Sequence, residues 1–196
     1  MAGKVEMRRA ALRDALIQHA ETRITADGLK NLRARDLARD AGCALGAIYN
    51  VFGDLTDLVL AVNARTFKRL GAAVAETLAD APQDATQQLI VMSHAYHRFA
   101  AENFNTWRAL FEIERPTGQA APDWYLAEMG QLFAYIDAPL SVLYPDLEVG
   151  KRAILTKAMF SSVHGIVLLG LDEASAGVPA PQLDDMISLI FNHLSR

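Results

Sequence analysis

Apolar residues in this chain return at helical intervals almost from end to end, and that periodicity is what most limits the folds open to it. Leu12, Leu16, Ala20 and Ile24 step by four, and Leu70, Val74, Thr77 and Leu78 share one stripe of a later segment, as the buried face of a helix requires. No run alternates apolar with polar residues in the manner of a strand, and Gly and Pro fall between the periodic segments. The reading is all-α. Helices are expected over about 5–27, 33–40, 44–50, 54–80, 84–103, 105–114, 122–143, 149–173 and 181–194. Pro82 with Asp84, the stretch from Arg115 to Pro122, Tyr144-Pro145, and Gly177 to Pro181 punctuate them, each pairing a helix stopper with a restart.

With 196 residues, 52% of them hydrophobic, the chain has ample material for a core. Its most apolar stretch, Ile166 to Leu171, is far shorter than the ~20 residues of a membrane helix, so no span is expected. Met1 to Arg9 runs straight into a charged periodic segment rather than an apolar signal core, and the expected compartment is the cytoplasm. A lone cysteine, Cys43, excludes an intrachain disulfide framework and a cysteine-based zinc site. The net charge of -4 hides a contrast: the first 70 residues hold 12 Lys and Arg against 8 Asp and Glu, the remainder 7 against 15. A basic front on an acidic back suggests an anion-binding module followed by a body that need not touch the anion.

Residues 29 to 60 give that module a shape. Leu37, Ala38 and Ala41 make an amphipathic turn that ends at Gly42, where a residue of positive φ is needed and glycine supplies it without steric cost. Ala44 to Asn50 then forms a second short helix, with Leu45 and Ile48 available for inward packing. Its other face offers Ala44, Ala47, Tyr49 and Asn50, small enough for the helix backbone to sit deep in a major groove. This is helix-turn-helix geometry.

At this point the sequence resembles the TetR family of transcriptional repressors. Several elements arrive in order over about 55 residues: a long amphipathic helix ending at Gly28, then Asp36-Leu37-Ala38 and Ala41-Gly42, then Gly46-Ala47-Ile48-Tyr49 with Phe52, and Asp57-Leu58 opening a linking helix. The resemblance implies a three-helix DNA-binding head, residues 1–53, and a helical body, residues 54–196, that dimerises and binds an inducer. The linking helix is expected over about 54–80. In the body, Tyr96 to Phe104 through Trp107, Leu110 and Phe111, then Phe160-Ser-Ser-Val-His-Gly165, look like the subgroup with a Trp-His-Gly signature, with Phe160 in the Trp position.

Four departures in the head bear on DNA binding. The family usually starts its second, third and fourth helices with Thr, Ser and Lys; here Arg33, Ala44 and Leu55 stand there, and Val51 replaces the aromatic or His that often precedes Phe52. Two N-caps, typically worth ~1 kcal/mol each, and a cationic phosphate contact are lost. Arg33, Tyr49, Asn50 and Thr56 remain as phosphate donors. Leu45 and Ala47 either read a thymine methyl or serve as helix formers, Tyr49 is either a phosphate donor or core, and Asn50 either reads a base edge or holds a phosphate. Lys4, Arg8 and Arg9 follow a phosphate backbone or are solvated, and Arg65, Lys68 and Arg69 read as a solvated face.

The body is rich in large adaptable side chains. From the resemblance and this composition, a largely apolar inducer pocket is expected to involve His94, Tyr96, His97, Phe104, Trp107, Phe111, Trp124, Met129, Phe133, Phe160 and His164, suited to a lipophilic or aromatic molecule. The last two helices have broad apolar faces, which in the family pair with their symmetry mates. That assigns Ile154, Ala158, Ser161, Ser162, Gly165, Leu168, Leu169, Leu183, Met186, Ile187, Ile190 and Leu194 to a homodimer interface.

No cofactor or metal is expected: His94 and His97 lie three apart, but no third ligand follows at matching spacing. No catalytic residues are expected either, since Gly-x-Ser-x-Gly, HExxH and Walker sequences are absent and the pairs Asp172-Glu173 and Asp184-Asp185 read as solvated. The function expected is a repressor released from double-stranded operator DNA by a small molecule, with no membrane partner. The alternative is a helical small-molecule binding protein whose DNA binding is weak or lost.

Overall fold

The computed structural model describes residues 2–113, 120–172 and 178–194. The described residues contain helices and no strand: α1 (Ala2–Asp27), a 3-10 turn (Leu29–Asn31), α2 (Ala34–Asp40), α3 (Leu45–Val51), α4 (Leu55–Ala79), α5 (Ala85–Glu102), α6 (Phe104–Arg108), α7 (Asp123–Leu143), α8 (Val149–Leu171) and α9 (Ala180–Leu194). Most ends fall within two residues of the sequence reading. The exceptions are the start of α1, three residues earlier than expected, and the helix expected over 105–114, which closes at Arg108 into a turn over Ala109 to Phe111. The expected breaks at Arg115 to Pro122 and Gly177 to Pro181 lie partly outside the described residues, as does Glu173.

The chain divides into two compact units. Unit 1 comprises residues 1–67 and 103–125, and unit 2 residues 68–102 and 126–196, so the division between compact units falls inside α4.

Unit 1 is built on the α1 stripe of Leu16, Ile17, Ala20 and Ile24. It meets Leu37 and Ala38 of α2, Ile48 and Phe52 at α3, and Leu58, Val59 and Val62 of α4 in a single buried cluster. Residues 103–113 join it through specific contacts. The Asn105 side-chain amide donates to the Thr25 carbonyl at 2.9 Å, and that of Asn63, fully buried in α4, donates to the Ala109 carbonyl at 3.0 Å. Such a bond closes an otherwise unpaired buried carbonyl. Trp107 is fully buried, with Phe104 and Phe111 against its ring.

Unit 2 holds α5 against α9 and α8, with α9 packed on both. Leu183, Ile187 and Phe191, one stripe of α9, are buried there. A β-carbon at Gly170 would overlap the Leu183 side chain, so glycine is what lets α8 and α9 approach. By length and composition α8, 23 residues long, could cross a membrane. That is more than the six-residue run from Ile166 to Leu171 indicates, because Gly150, Ser161, Ser162 and Gly165 interrupt the apolar pattern without adding charge.

Candidate functional site

The helix-turn-helix forms as the glycine demands. Gly42 has φ +61°, its N–H donates to the Arg39 carbonyl at 3.2 Å, and the next N–H, of Cys43, reaches back to Ala38 at 2.9 Å. This pair of bonds is the Schellman closure that ends one helix and re-aims the chain for the next. Ala44 then opens α3 in an extended conformation, with no side-chain cap. Arg33 opens α2, likewise with no side-chain cap.

Within α3 only Ile48 is buried, and Phe52 follows it into the core. Leu45, read from sequence as available for inward packing, is exposed instead, because Ile48 and Phe52 already fill the inward side of so short a helix. Tyr49 is half exposed, which removes it from the core. Ala44 and Asn50 are exposed and Ala47 half-buried, giving α3 an outer face of small and polar groups. Arg33 is exposed, and its Nη1 donates to the carbonyls of Lys30 and Leu32 at 2.7 and 3.0 Å, which leaves Nη2 and Nε for an anion.

One local feature at the start of α4 escaped the sequence reading. The Asp57 N–H donates to Asp54 Oδ1 at 2.8 Å, and the Gly53 N–H donates to Asp57 Oδ2 at 3.1 Å. Two carboxylates thereby cap α4 reciprocally, and they put negative charge beside the half-buried Thr56. The signal was the Asp-x-x-Asp spacing itself. Elsewhere, Arg65 pairs with Glu21 at 3.4 Å and Lys68 with Glu128 at 3.2 Å, so neither is simply solvated. The Arg23 guanidinium hydrogen-bonds Asp40, and that bond holds the carboxyl below its ordinary range.

The residues expected to line a pocket do not fall in one compact unit: Phe104, Trp107, Phe111 and Trp124 belong to unit 1, the others to unit 2. The distinction is tertiary, since all lie in body helices by sequence. In unit 2, Phe160 stacks on His164, while Phe133 and Tyr96 meet Phe160 edge-on with ring centres 5.2 and 6.0 Å away. The Tyr96 hydroxyl lies 2.8 Å from His164 Nδ1. Met129 is half-buried.

Asp184, read as solvated, meets buried His97 through Oδ1 at 2.8 Å from Nδ1, while its carbonyl and Ser188 Oγ lie 3.1 Å from His94 Nε2. The two histidines therefore tie α5 to α9, and no cluster of three metal-ligating side chains occurs among the described residues. A small cavity of about 20 Å³, lined by Leu89, Leu140, Tyr144, Met159, Phe191 and neighbours, touches none of the expected pocket residues. It has room for roughly one water molecule.

The apolar exposure of unit 2 is concentrated on α8 and α9. Ile154 is 69% and Leu169 63% exposed, and Ala158, Ser161, Ser162, Leu168 and Met186 are exposed beside them. Gly165 and Ile190 are half-buried, and a β-carbon at Gly165 would meet nothing. Leu183 and Ile187 do not belong to this face. Both are within 1% of full burial in the protomer's own core, so they are withdrawn from the proposed interface. The side chain of Leu194 lies outside the described residues.

No protein-family profile matches the chain, and no curated protein does. Solved structures do. A protein of unknown function from Rhodococcus sp. RHA1 is similar at TM-score 0.72 and 24% identity, over 92% of this chain and 93% of that one. A TetR transcriptional regulator from the same source superposes at TM-score 0.64 with 16% identity, covering 96% and 97% of the two chains. The fold is that of a TetR-type transcriptional regulator. RolR, in complex with its ligand resorcinol, is similar at TM-score 0.70 and 19% identity over 96% of this chain and 89% of that one. On that fold this chain has uncapped starts to α2 and α3, two carboxylates at the start of α4, and a Tyr96 and His164 pair inside unit 2.

Proposed function

We propose that this chain is a ligand-responsive transcriptional regulator of the TetR type, acting in the cytoplasm as a homodimer and released from its operator by a small lipophilic or aromatic molecule. The observation that carries the proposal is the closed turn at Gly42, which presents α3 with Ala44, Leu45, Tyr49 and Asn50 exposed and only Ile48 buried. A short helix with small and polar groups outward suits a major groove. Arg33, Ala47 and Thr56 complete the proposed contact set.

The exposed apolar face around Ile154 and Leu169 supports pairing with a second copy, since such a face on a lone protomer is a liability in water. Two recognition helices then stand about one DNA turn apart. The aromatic cluster of Tyr96, Phe133, Phe160 and His164, with a polar hydroxyl and imidazole among rings, supports an aromatic or weakly polar ligand, and RolR's resorcinol is of that kind. Ligand and DNA oppose each other by favouring different spacings of the two heads, and by linkage each weakens the other's binding equally. This reading assigns the chain no enzymatic activity, metal or cofactor.

A second reading, a helical small-molecule binding protein with weak or lost DNA binding, is favoured by the carboxylates of Asp54 and Asp57 at the start of α4, where Leu55 offers no cation. Retention of DNA flanking its own gene, measured at two salt concentrations against non-specific competitor, separates them. Specific, salt-sensitive retention supports the regulator; none above competitor supports the second reading.

A further inference from the structure

The first ten residues of α1 form a surface that the fold of unit 1 leaves unused. The helix enters the core only at Leu12, and every residue from Gly3 to Ala11 is exposed. Ten helical residues span about 15 Å, so the helix stands nearly three turns clear of its own packing. The charge on this overhang is one-sided. Lys4, Arg8 and Arg9, with Arg13 at the edge of the core, face one acidic residue, Glu6.

Several other cations of unit 1 are engaged, Arg23 with Asp40, Arg39 with Asp36, Arg65 with Glu21 and Lys30 with Glu112, while Arg33 and Arg35 form no ion pair among the described residues. Among the described residues, none of Lys4, Arg8, Arg9 or Arg13 has an ion-pair partner. The base of the overhang is placed by Arg13, whose guanidinium carbon sits 5.3 Å from the ring centre of Phe52, the residue that closes α3. Arg9 is one turn earlier on the same face. The overhang therefore begins beside the C-terminal end of the recognition helix.

We propose that this overhang is an arm that tracks the backbone of duplex DNA: Lys4, Arg8 and Arg9 neutralise phosphates flanking the groove that α3 enters. The inference rests on the DNA-binding reading above. It also locates the phosphate contacts that the start of α4, with its two carboxylates, does not supply. Phosphates are alike on every sequence, so the arm strengthens binding without choosing the site.

The test compares the full-length protein with its Lys4→Gln, Arg8→Gln, Arg9→Gln triple variant, on a duplex carrying the flanking DNA of its own gene and on an unrelated duplex. The salt range is roughly 50 to 200 mM. Three lost phosphate contacts lower the slope of log K against log salt by about 2.7 per protomer, at ~0.9 each. Affinity for both duplexes falls by the same factor, and the thermal unfolding midpoint is unchanged because the arm packs against nothing.

An unchanged slope with wild-type binding intact overturns the arm and leaves the regulator reading standing. Wild-type protein that retains neither duplex overturns both. An unchanged slope accompanied by lost binding to phosphatidylserine vesicles overturns the DNA assignment in favour of a membrane surface.

Discussion

The hydroxyl of Tyr96 and Nδ1 of His164 lie 2.8 Å apart and join α5 to α8 within unit 2. Burial lowers the His164 pKa from its ordinary 6.5, so the neutral imidazole prevails and shares one hydrogen bond with the Tyr96 hydroxyl through Nδ1. The unfolded chain takes up a proton near 6.5 and the folded one only lower. Stability from this group is therefore fully present above pH 6.5 and is lost as pH falls below it toward the folded value. Urea unfolding of the wild type and of His164→Gln across that range is the check. The difference between them should shrink on acidification, and a constant difference would contradict the coupling.

Gly42→Ala should destabilise the protein by about 1–2 kcal/mol, the cost of a left-handed residue with a β-carbon. Space is not the issue, since a β-carbon there meets nothing within 4 Å. The urea midpoint should drop with the denaturant slope unchanged, and Gly42→Asn should lose less.

Asn63→Ala removes, from a fully buried position, the amide that donates to the Ala109 carbonyl. Leaving that acceptor unsatisfied should cost about 1–3 kcal/mol. Hydrogen exchange should rise over residues 103–113, which the bond holds to α4; unaltered protection there would show that Trp107 alone anchors the segment.

Gly170→Ala should force the buried Leu183 side chain aside. Overpacking of this kind costs typically about 1–3 kcal/mol. The double variant Gly170→Ala, Leu183→Ala should recover part of the Gly170→Ala loss relative to Leu183→Ala alone, read from thermal unfolding as a non-additive pair.

Ile154→Glu with Leu169→Glu should convert a dimer to a folded monomer, seen as a halved mass by sedimentation with unchanged helical circular dichroism. Both side chains are more than 60% exposed in the protomer, so its own core loses nothing. Ile187→Ala should behave oppositely, lowering stability by about 2–5 kcal/mol because that side chain is core.

Helix positions were legible because their causes are local. Ala85–Glu102 and Asp123–Leu143 fall within a residue of the segments expected from periodicity and flanking breaks. The turn at Gly42 was legible for the same reason, since the need for positive φ belongs to one residue and its neighbours. The early end of α6 was not, because the Ala109 carbonyl is taken by Asn63, 46 residues away. Nor was the role of Asp184, whose partner His97 is 87 residues distant.

The same limit divides the broad apolar face of α9. Periodicity places Leu183, Met186, Ile187 and Ile190 on neighbouring stripes, but it cannot say which stripe its own protomer claims. Packing against Gly170 and α5 buries Leu183 and Ile187 and leaves Met186 exposed. By itself, then, the sequence determined the helices, the glycine-closed turn and the basic front, all set by spacing, backbone conformation and charge within a few residues. Which apolar faces became core, and which polar groups met across the fold, was decided only when distant segments competed for the same buried contacts.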